Sequence, residues 1–306
     1  MQKVAYRGWP NCYRLANERI EVIATTDVGP RIIHLSLPGG ENMFGVMPDQ
    51  AGLTGGDEWR IYGGHRLWHA PEAKPRSYYP DNAPVLAEVE GDTLRLIPPE
   101  ETTTGIQKEM VISLVGDHPH VRVRHVLENR GLWPVELAPW ALSVMNLNGV
   151  AIVPQSTWSE PDGLLPNRVL TLWPYTDLRD PRVYWGTRCI MLRQDPQVAP
   201  PIKVGLNDTD GWAAYWRNGQ LFVKCFEYDV LGEYPDNGCS VETYACGTFL
   251  ELETLGPLIW LEPGEAIEHV EDWFLYDKIS PVKSEEDVEK TVRPLAEESL
   301  DESFSS

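Results

Sequence analysis

From Arg19 onward the apolar residues of this chain recur at every second position, and that period constrains the fold more than any other feature. The segments ERIEVIATT, RIIHLSLPG, DTLRLIPPE, KEMVISLV and HVRVRHVLEN alternate apolar and polar choices, the pattern of a half-buried strand. None sustains the three-to-four-residue stripe of an amphipathic helix. Turn chemistry falls between the runs: Gly29-Pro30, Pro38-Gly39-Gly40, Gly55-Gly56, Glu90-Gly91-Asp92, Val115-Gly116-Asp117 and Glu262-Pro263-Gly264-Glu265. In WAAYWRNGQLFVKCF the Asn218-Gly219 pair between two strand-like runs predicts a tight hairpin, because both turn positions need φ > 0. Short strands at this spacing predict an all-β fold, a large antiparallel β-sandwich.

A chain of 306 residues with 42% hydrophobic content can bury a sizeable core without disulfides or a structural metal. No internal repeat and no linker divides it, so residues 1–283 read as a single β-sandwich domain. The acidic segment 284–306 reads as an appendage: a short helix from Ser284 to Leu295, then a disordered tail of about ten residues. Five cysteines, Cys12, Cys189, Cys225, Cys239 and Cys246, are scattered without C-x-x-C spacing, which fits neither a disulfide framework nor a zinc site. The N-terminus shows no secretory h-region and no apolar run reaches membrane-spanning length, so a cytoplasmic protein without a membrane partner is expected, as monomer or homodimer. A formal net charge of −20 with dispersed basic residues excludes nucleic acid as a partner.

Two stretches break the alternation, Phe44–Asn82 and Gln155–Asp180, both dense in Trp, Tyr, Pro, Gly and His. Long irregular connections in a β scaffold are where binding chemistry concentrates. Within the first, GDEWRIYGGHRLWHAPE (56–72) gathers Tyr62, His65, Arg66, Trp68, His69 and Glu72. Aromatic faces stack on sugar C–H surfaces while His and Arg donate to hydroxyls, so the segment reads as a sugar platform; the bland reading is an aromatic plug with satisfied histidines. His65 and His69 lie roughly 13 Å apart on an extended segment, too far for one ion, and no metal is expected.

A second constellation closes the chain, LELETLGPLIWLEPGEAIEHVEDWFLY. In strand geometry Glu251 and Glu253 share one face while Leu250 and Leu252 share the other. With the leucines in the core, one glutamate is placed to act as a general base; the bland alternative is two solvated surface residues. Lesser candidates are Arg31, Trp140, Asn146, Glu227 and Asp229. No P-loop, G-x-G-x-x-G, G-x-S-x-G or H-E-x-x-H is present, which removes the function classes those motifs carry.

DVGPRIIHLSLPGGENMF, GGHRLWHAPE, WPVELAPWALSVM and the closing LELETLGPLIWLEPGE…EDWFLY together resemble the galactose mutarotase-like (aldose 1-epimerase-like) superfamily, over about residues 18–277. The resemblance implies a cofactor-free isomerase acting on a small-molecule carbohydrate. A glutamate, here Glu251 or Glu253, would take the anomeric proton. A histidine, His65 or His69, would protonate the ring oxygen, and Arg31 or Arg66 would clamp hydroxyls; Tyr62, Trp68, Glu72 and Trp140, read from the residues alone, are the further candidates for lining the sugar site. The chain departs from the mutarotase pattern at 140–148, where WALSVMNLN lacks the histidine of the matching strand. A non-catalytic carbohydrate-binding module, or a glycan lyase or hydrolase on the same fold, are the competing expectations.

Overall fold

The computed structural model describes residues 1–156 and 163–305. Two antiparallel sheets carry almost all of the regular structure. The eleven-stranded one runs in the order Gln2–Tyr6, Trp9–Ala16, Glu21–Thr25, Arg31–Ser36, His65–Ala70, Val135–Met145, Leu250–Leu255, Val241–Ala245, Ile202–Leu206, Leu170–Leu172, with Ile259–Leu261 pairing on the start of Val135–Met145. The ten-stranded one runs Val183–Trp185, Cys189–Arg193, Val150–Pro154, Trp212–Arg217, Gln220–Phe226, Ala266–Tyr276, His120–Asn129, Ile106–Leu114, Thr93–Ile97, Leu86–Glu90. The all-β sandwich read from the alternation is therefore the architecture found. Arg217 and Gln220 pair across the expected hairpin, and Asn218 and Gly219 take φ of 49° and 79°.

Leu67, Leu252, Val123, Leu127 and Leu275, drawn from both sheets, belong to one buried cluster, so the core lies between the sheets. Burial of apolar surface there is the main favourable term, at roughly 25 cal/mol per Å². Gly63 and Gly64 deliver the chain into the His65–Ala70 strand at φ of 98° and 71°. A Cβ would sit 2.1 Å from the Gly45 carbonyl oxygen at Gly63 and 2.2 Å from that of Ile32 at Gly64, so only glycine lets this strand enter the sheet here.

The C-terminal segment departs from expectation. Ser284 caps a first turn in a reciprocal box with Asp287, the helix passes through a π-turn at Val288–Val292, and it continues over Arg293–Ser305 where a tail was expected. Val288, Val292 and Ala296 bury against Trp212, Val223 and Phe274 on the outer face of the second sheet. Arg293 is fixed to Asp210 and Glu289. Acidic composition hid a helix that has an apolar face to dock. Of the irregular stretch Gln155–Asp180, residues 157–162 lie outside the described residues. No helix among the described residues is long and apolar enough to cross a membrane.

Candidate functional site

Parity along five neighbouring strands decides what meets what. Residues facing each other across antiparallel strands point to the same side of the sheet. One row across the first sheet is Arg66, Leu142, Glu253, Glu242 and Gly205; the next is Val144, Glu251, Tyr244 and Lys203; a third is Trp68, Trp140 and Leu255. These rows face away from the inter-sheet core, and all their members except Val144, Glu242, Gly205 and Leu255 line a cleft of about 290 Å3, forming its floor. That volume lies at the small end of ligand clefts, roughly 300–1,000 Å3. Trp59 and Tyr78 from the irregular Phe44–Asn82 stretch wall one side, and Tyr175, Tyr244 and Phe249 the other.

Charges on the floor are built in pairs. Arg66 Nη2 lies 2.7 Å from Glu251 Oε1, with the guanidinium 4.7 Å above the Trp68 ring. Lys203 Nζ lies 2.6 Å from Glu242 Oε2 and 3.0 Å from Glu253 Oε2, between the rings of Trp140 and Trp173. Trp140 Nε1 donates to Glu253 Oε2 at 2.9 Å, and the Tyr78 hydroxyl donates to Glu72. Burial pushes the carboxyls of Glu253 and, more strongly, Glu242 above the ordinary range. Burial would lower Lys203, yet the two carboxylates outweigh it and hold the ammonium well above its usual value. Arg66 Nε and Nη1 and Glu253 Oε1 are buried without a hydrogen-bond partner among the described residues. A cleft whose floor has unused donors and acceptors is prepared for a polar ligand.

The sequence-derived candidates divide by parity. Arg66, Trp68, Glu72, Trp140, Glu251 and Glu253 line the cleft. Neither glutamate is a solvated surface residue: Glu251 is 8% exposed and Glu253 0%. His65 and His69 alternate with Arg66 and Trp68, so they project through the other face into the sandwich interior. This corrects the expectation that one of them stands across the cleft from the glutamates. His69 Nε2 sits 3.0 Å from Glu101 Oε2, and the other oxygen of that carboxylate pairs with Lys108. Arg31 stands opposite Arg66 and so on the same face, but it is fully buried beside the cleft and outside its lining: Nη1 donates to the carbonyls of Ile61 and Gly63 at 2.8 Å each, and Nη2 to Asp81 Oδ2 at 2.6 Å. Tyr62, also fully buried, donates to Asn82 Oδ1 and packs on Trp9. Arg31 and Tyr62 thus clasp the loop that carries Trp59 and do not clamp a ligand. Lys203 and Glu242 were missed; their one sequence signal is a charge inside the apolar runs PPIKVGL and SVETYAC.

Behind the floor lies a second polar cluster with a different character. His65 Nδ1 meets Ser143 Oγ at 2.9 Å and His65 Nε2 meets His125 Nε2 at 2.7 Å, while His125 Nδ1 donates to the His269 carbonyl. Glu271 accepts from Trp273 Nε1 and Thr254 and pairs with Lys224 at 2.9 Å; Thr254 also meets His269 Nε2 at 2.8 Å. His65, His125 and Glu271 bring ligand-type atoms within 4.8 Å of one another. The 2.7 Å contact is nevertheless a hydrogen bond in length, and the Lys224 ammonium already fills the carboxylate, so hydrogen bonds account for the cluster. Burial drives His65 well below its usual value and His269 down to about 3. Two larger hollows, of about 630 and 700 Å3, open elsewhere, one beside the last helix and one over Gly55–Asp57. Among the described residues neither is lined by a buried side-chain polar atom that lacks a hydrogen-bond partner, as the cleft is.

No protein-family model matches the chain, and no curated protein sequence matches it. Solved structures do. A TPR-domain containing protein from Parabacteroides distasonis aligns with 90% of this chain at TM-score 0.58 and 15% identity; the chain spans about half, 49%, of that protein. A galactose mutarotase related enzyme from Lactobacillus acidophilus aligns over 89% of this chain and 100% of its own at TM-score 0.53 and 11% identity. A galactose mutarotase-like protein from Clostridium acetobutylicum does so over 87% and 95% at 0.53 and 12%. The fold of the chain is the galactose mutarotase-like one.

Proposed function

We propose that the protein takes a single sugar ring into this cleft and interconverts its anomers. The observation that carries the reading is Glu251 and Glu253 side by side on an aromatic-walled floor, on a fold whose solved neighbours include a galactose mutarotase related enzyme. The rings of Trp59, Trp68, Tyr78 and Tyr244 offer faces for sugar C–H surfaces, and the free Arg66 N–H groups offer donors for hydroxyls. Glu251, ion-paired to Arg66, is the acceptor for the anomeric O1 proton. Its release lets C1–O5 break as C1=O1 forms; rotation about C1–C2 and reclosure give the other anomer. General catalysis of such a proton transfer contributes typically about 10²–10⁴-fold.

Magnetisation-exchange NMR on a panel of aldoses, uronic acids and sugar phosphates tests this. Faster α–β exchange for at least one sugar, lost in Glu251→Gln, is the expected result. A second reading, a binding module without turnover, is favoured by the lack of a histidine among the described lining residues. Line broadening of a sugar with no faster exchange anywhere would decide for that reading.

A further inference from the structure

Anomer exchange needs an acid for the ring oxygen as well as a base, and the histidines expected for that role face the interior. A different proton holder reaches the cleft floor through Glu253. Glu242 and Glu253 stand directly opposite each other in the pairing of their strands, both fully buried, and both reach the one ammonium of Lys203. Directly opposed residues place their Cβ atoms about 5 Å apart. Two carboxylates on one ammonium leave the unit one negative charge in excess in a site with no water exposure to offset it. Each carboxyl also has an oxygen, Glu242 Oε1 and Glu253 Oε1, without a hydrogen-bond partner among the described residues. A single proton between the two carboxyls removes both defects: it neutralises the excess charge and turns two orphan acceptors into one donor and one acceptor.

We propose that Glu242 and Glu253, held on Lys203, share one proton, and that Glu253 delivers it to the sugar ring oxygen in the place a histidine would take. Glu253 lines the cleft and is the catalytic member; Glu242 and Lys203 position it and keep the proton there. This rests on the anomerase reading above and completes its proton balance. As C1–O5 breaks, its electron pair goes to O5, which takes the dyad proton while Glu251 takes the O1 proton. On reclosure O5 attacks C1, returns its proton to the dyad, and the carbonyl oxygen recovers the proton from Glu251. Nothing is consumed and no oxidant or metal enters.

The surroundings agree with a retained proton. Burial is the main cause of the upward displacement of both carboxyls; repulsion from Glu253 adds to it at Glu242, and repulsion from Glu251 adds to it at Glu253. The groups facing the dyad are Lys203, Arg66 and Lys224 on the positive side and Glu251 and Asp236 on the negative, with Cys239, Tyr175 and Tyr244 as neutral neighbours. The three cations are each tied to a carboxylate already, Lys224 to Glu271 on the far face.

Two readouts test the proposal together. Difference infrared spectroscopy of the whole protein near neutral pH is expected to show a protonated-carboxyl stretch that disappears in Glu242→Gln and in Glu253→Gln. In the anomer-exchange assay Glu242→Gln is expected to move the basic limb of the pH profile to lower pH by about 1–3 units, because the like charge that held the proton is gone. Lys203→Met, which removes the ammonium, moves the same limb to higher pH and guards against a merely structural effect of the first variant. Exchange in the wild type with no protonated-carboxyl band and an unmoved limb in Glu242→Gln overturns the dyad and leaves the anomerase standing. A band with no exchange for any sugar overturns the anomerase and the dyad's role as its acid.

Discussion

The same three strands, His65–Ala70, Val135–Met145 and Leu250–Leu255, carry a polar cluster on each face, and the two clusters are built by opposite rules. On the inner face His65, Ser143 and Thr254 join His125, His269, Glu271 and Lys224 in a network where the groups find partners within the protein. On the outer face Arg66, Glu251, Glu253, Glu242 and Lys203 are as deeply buried, yet donors and acceptors are left over and the cleft opens above them. Burial of charge costs several kcal/mol per ion wherever it occurs, roughly, and saturation marks where that cost serves the fold alone. Incomplete saturation beside a cleft marks where a ligand completes the set.

Substitutions on the two faces should therefore fail in different ways. Glu253→Gln is expected to lower sugar exchange by about 10²–10⁴-fold while leaving the chain folded, measured by exchange NMR beside circular dichroism. On the inner face Glu271→Ala leaves Lys224 buried without its partner and is expected to cost about 3–5 kcal/mol of unfolding free energy in a denaturant titration. An equal loss of stability in Glu253→Gln, or none in Glu271→Ala, would erase the contrast between the faces.

Acid sharpens the comparison further. His65, His125 and His269 are held below their ordinary value by burial, so the unfolded chain takes up protons below about pH 6.5 that the folded chain refuses. Stability is then present above that pH and falls as pH drops through it, by up to about 1.4 kcal/mol per pH unit for each histidine. The proton retained by Glu242 and Glu253 acts in the opposite sense, since a raised carboxyl loses its stabilising effect as pH rises, but three histidines outnumber it. Unfolding free energies measured from pH 7 to pH 5 should decline; a flat profile would mean the inner histidines titrate freely and the network is not closed. The smallest effect is at the cleft wall, where Tyr175→Ala is expected to weaken sugar binding by about 0.5–1.5 kcal/mol, read as a line-broadening midpoint, with little change in stability because Tyr175 is 44% exposed.

Much of this could be read from the sequence, and the part that could not has a physical reason. Alternation placed the strands, the Asn218-Gly219 hairpin and the side to which Glu251 and Glu253 turn, because Leu250 and Leu252 could only enter the core. For HRLWHA the same logic gave no answer: both faces carry polar and apolar residues, His65, Leu67 and His69 on one and Arg66, Trp68 and Ala70 on the other, so nothing in the pattern says which histidines or aromatics face a ligand. Only the pairing of Leu142 with both Arg66 and Glu253 fixes it. Lys203 and Glu242 escaped notice because their meaning lies in contacts with Glu253 made across strands far apart in the chain. The last helix was hidden by its acidic composition, although Val288, Val292 and Ala296 sit four residues apart on one face.

The most direct test of the contrast is anomer exchange measured side by side for the wild type, Glu253→Gln and Glu271→Gln, at equal concentrations of folded protein and with the sugar the wild type turns over fastest. Exchange that collapses in Glu253→Gln and persists in Glu271→Gln places the chemistry on the outer face. Exchange that survives in Glu253→Gln and vanishes in Glu271→Gln would place it among the inner histidines and contradict the account.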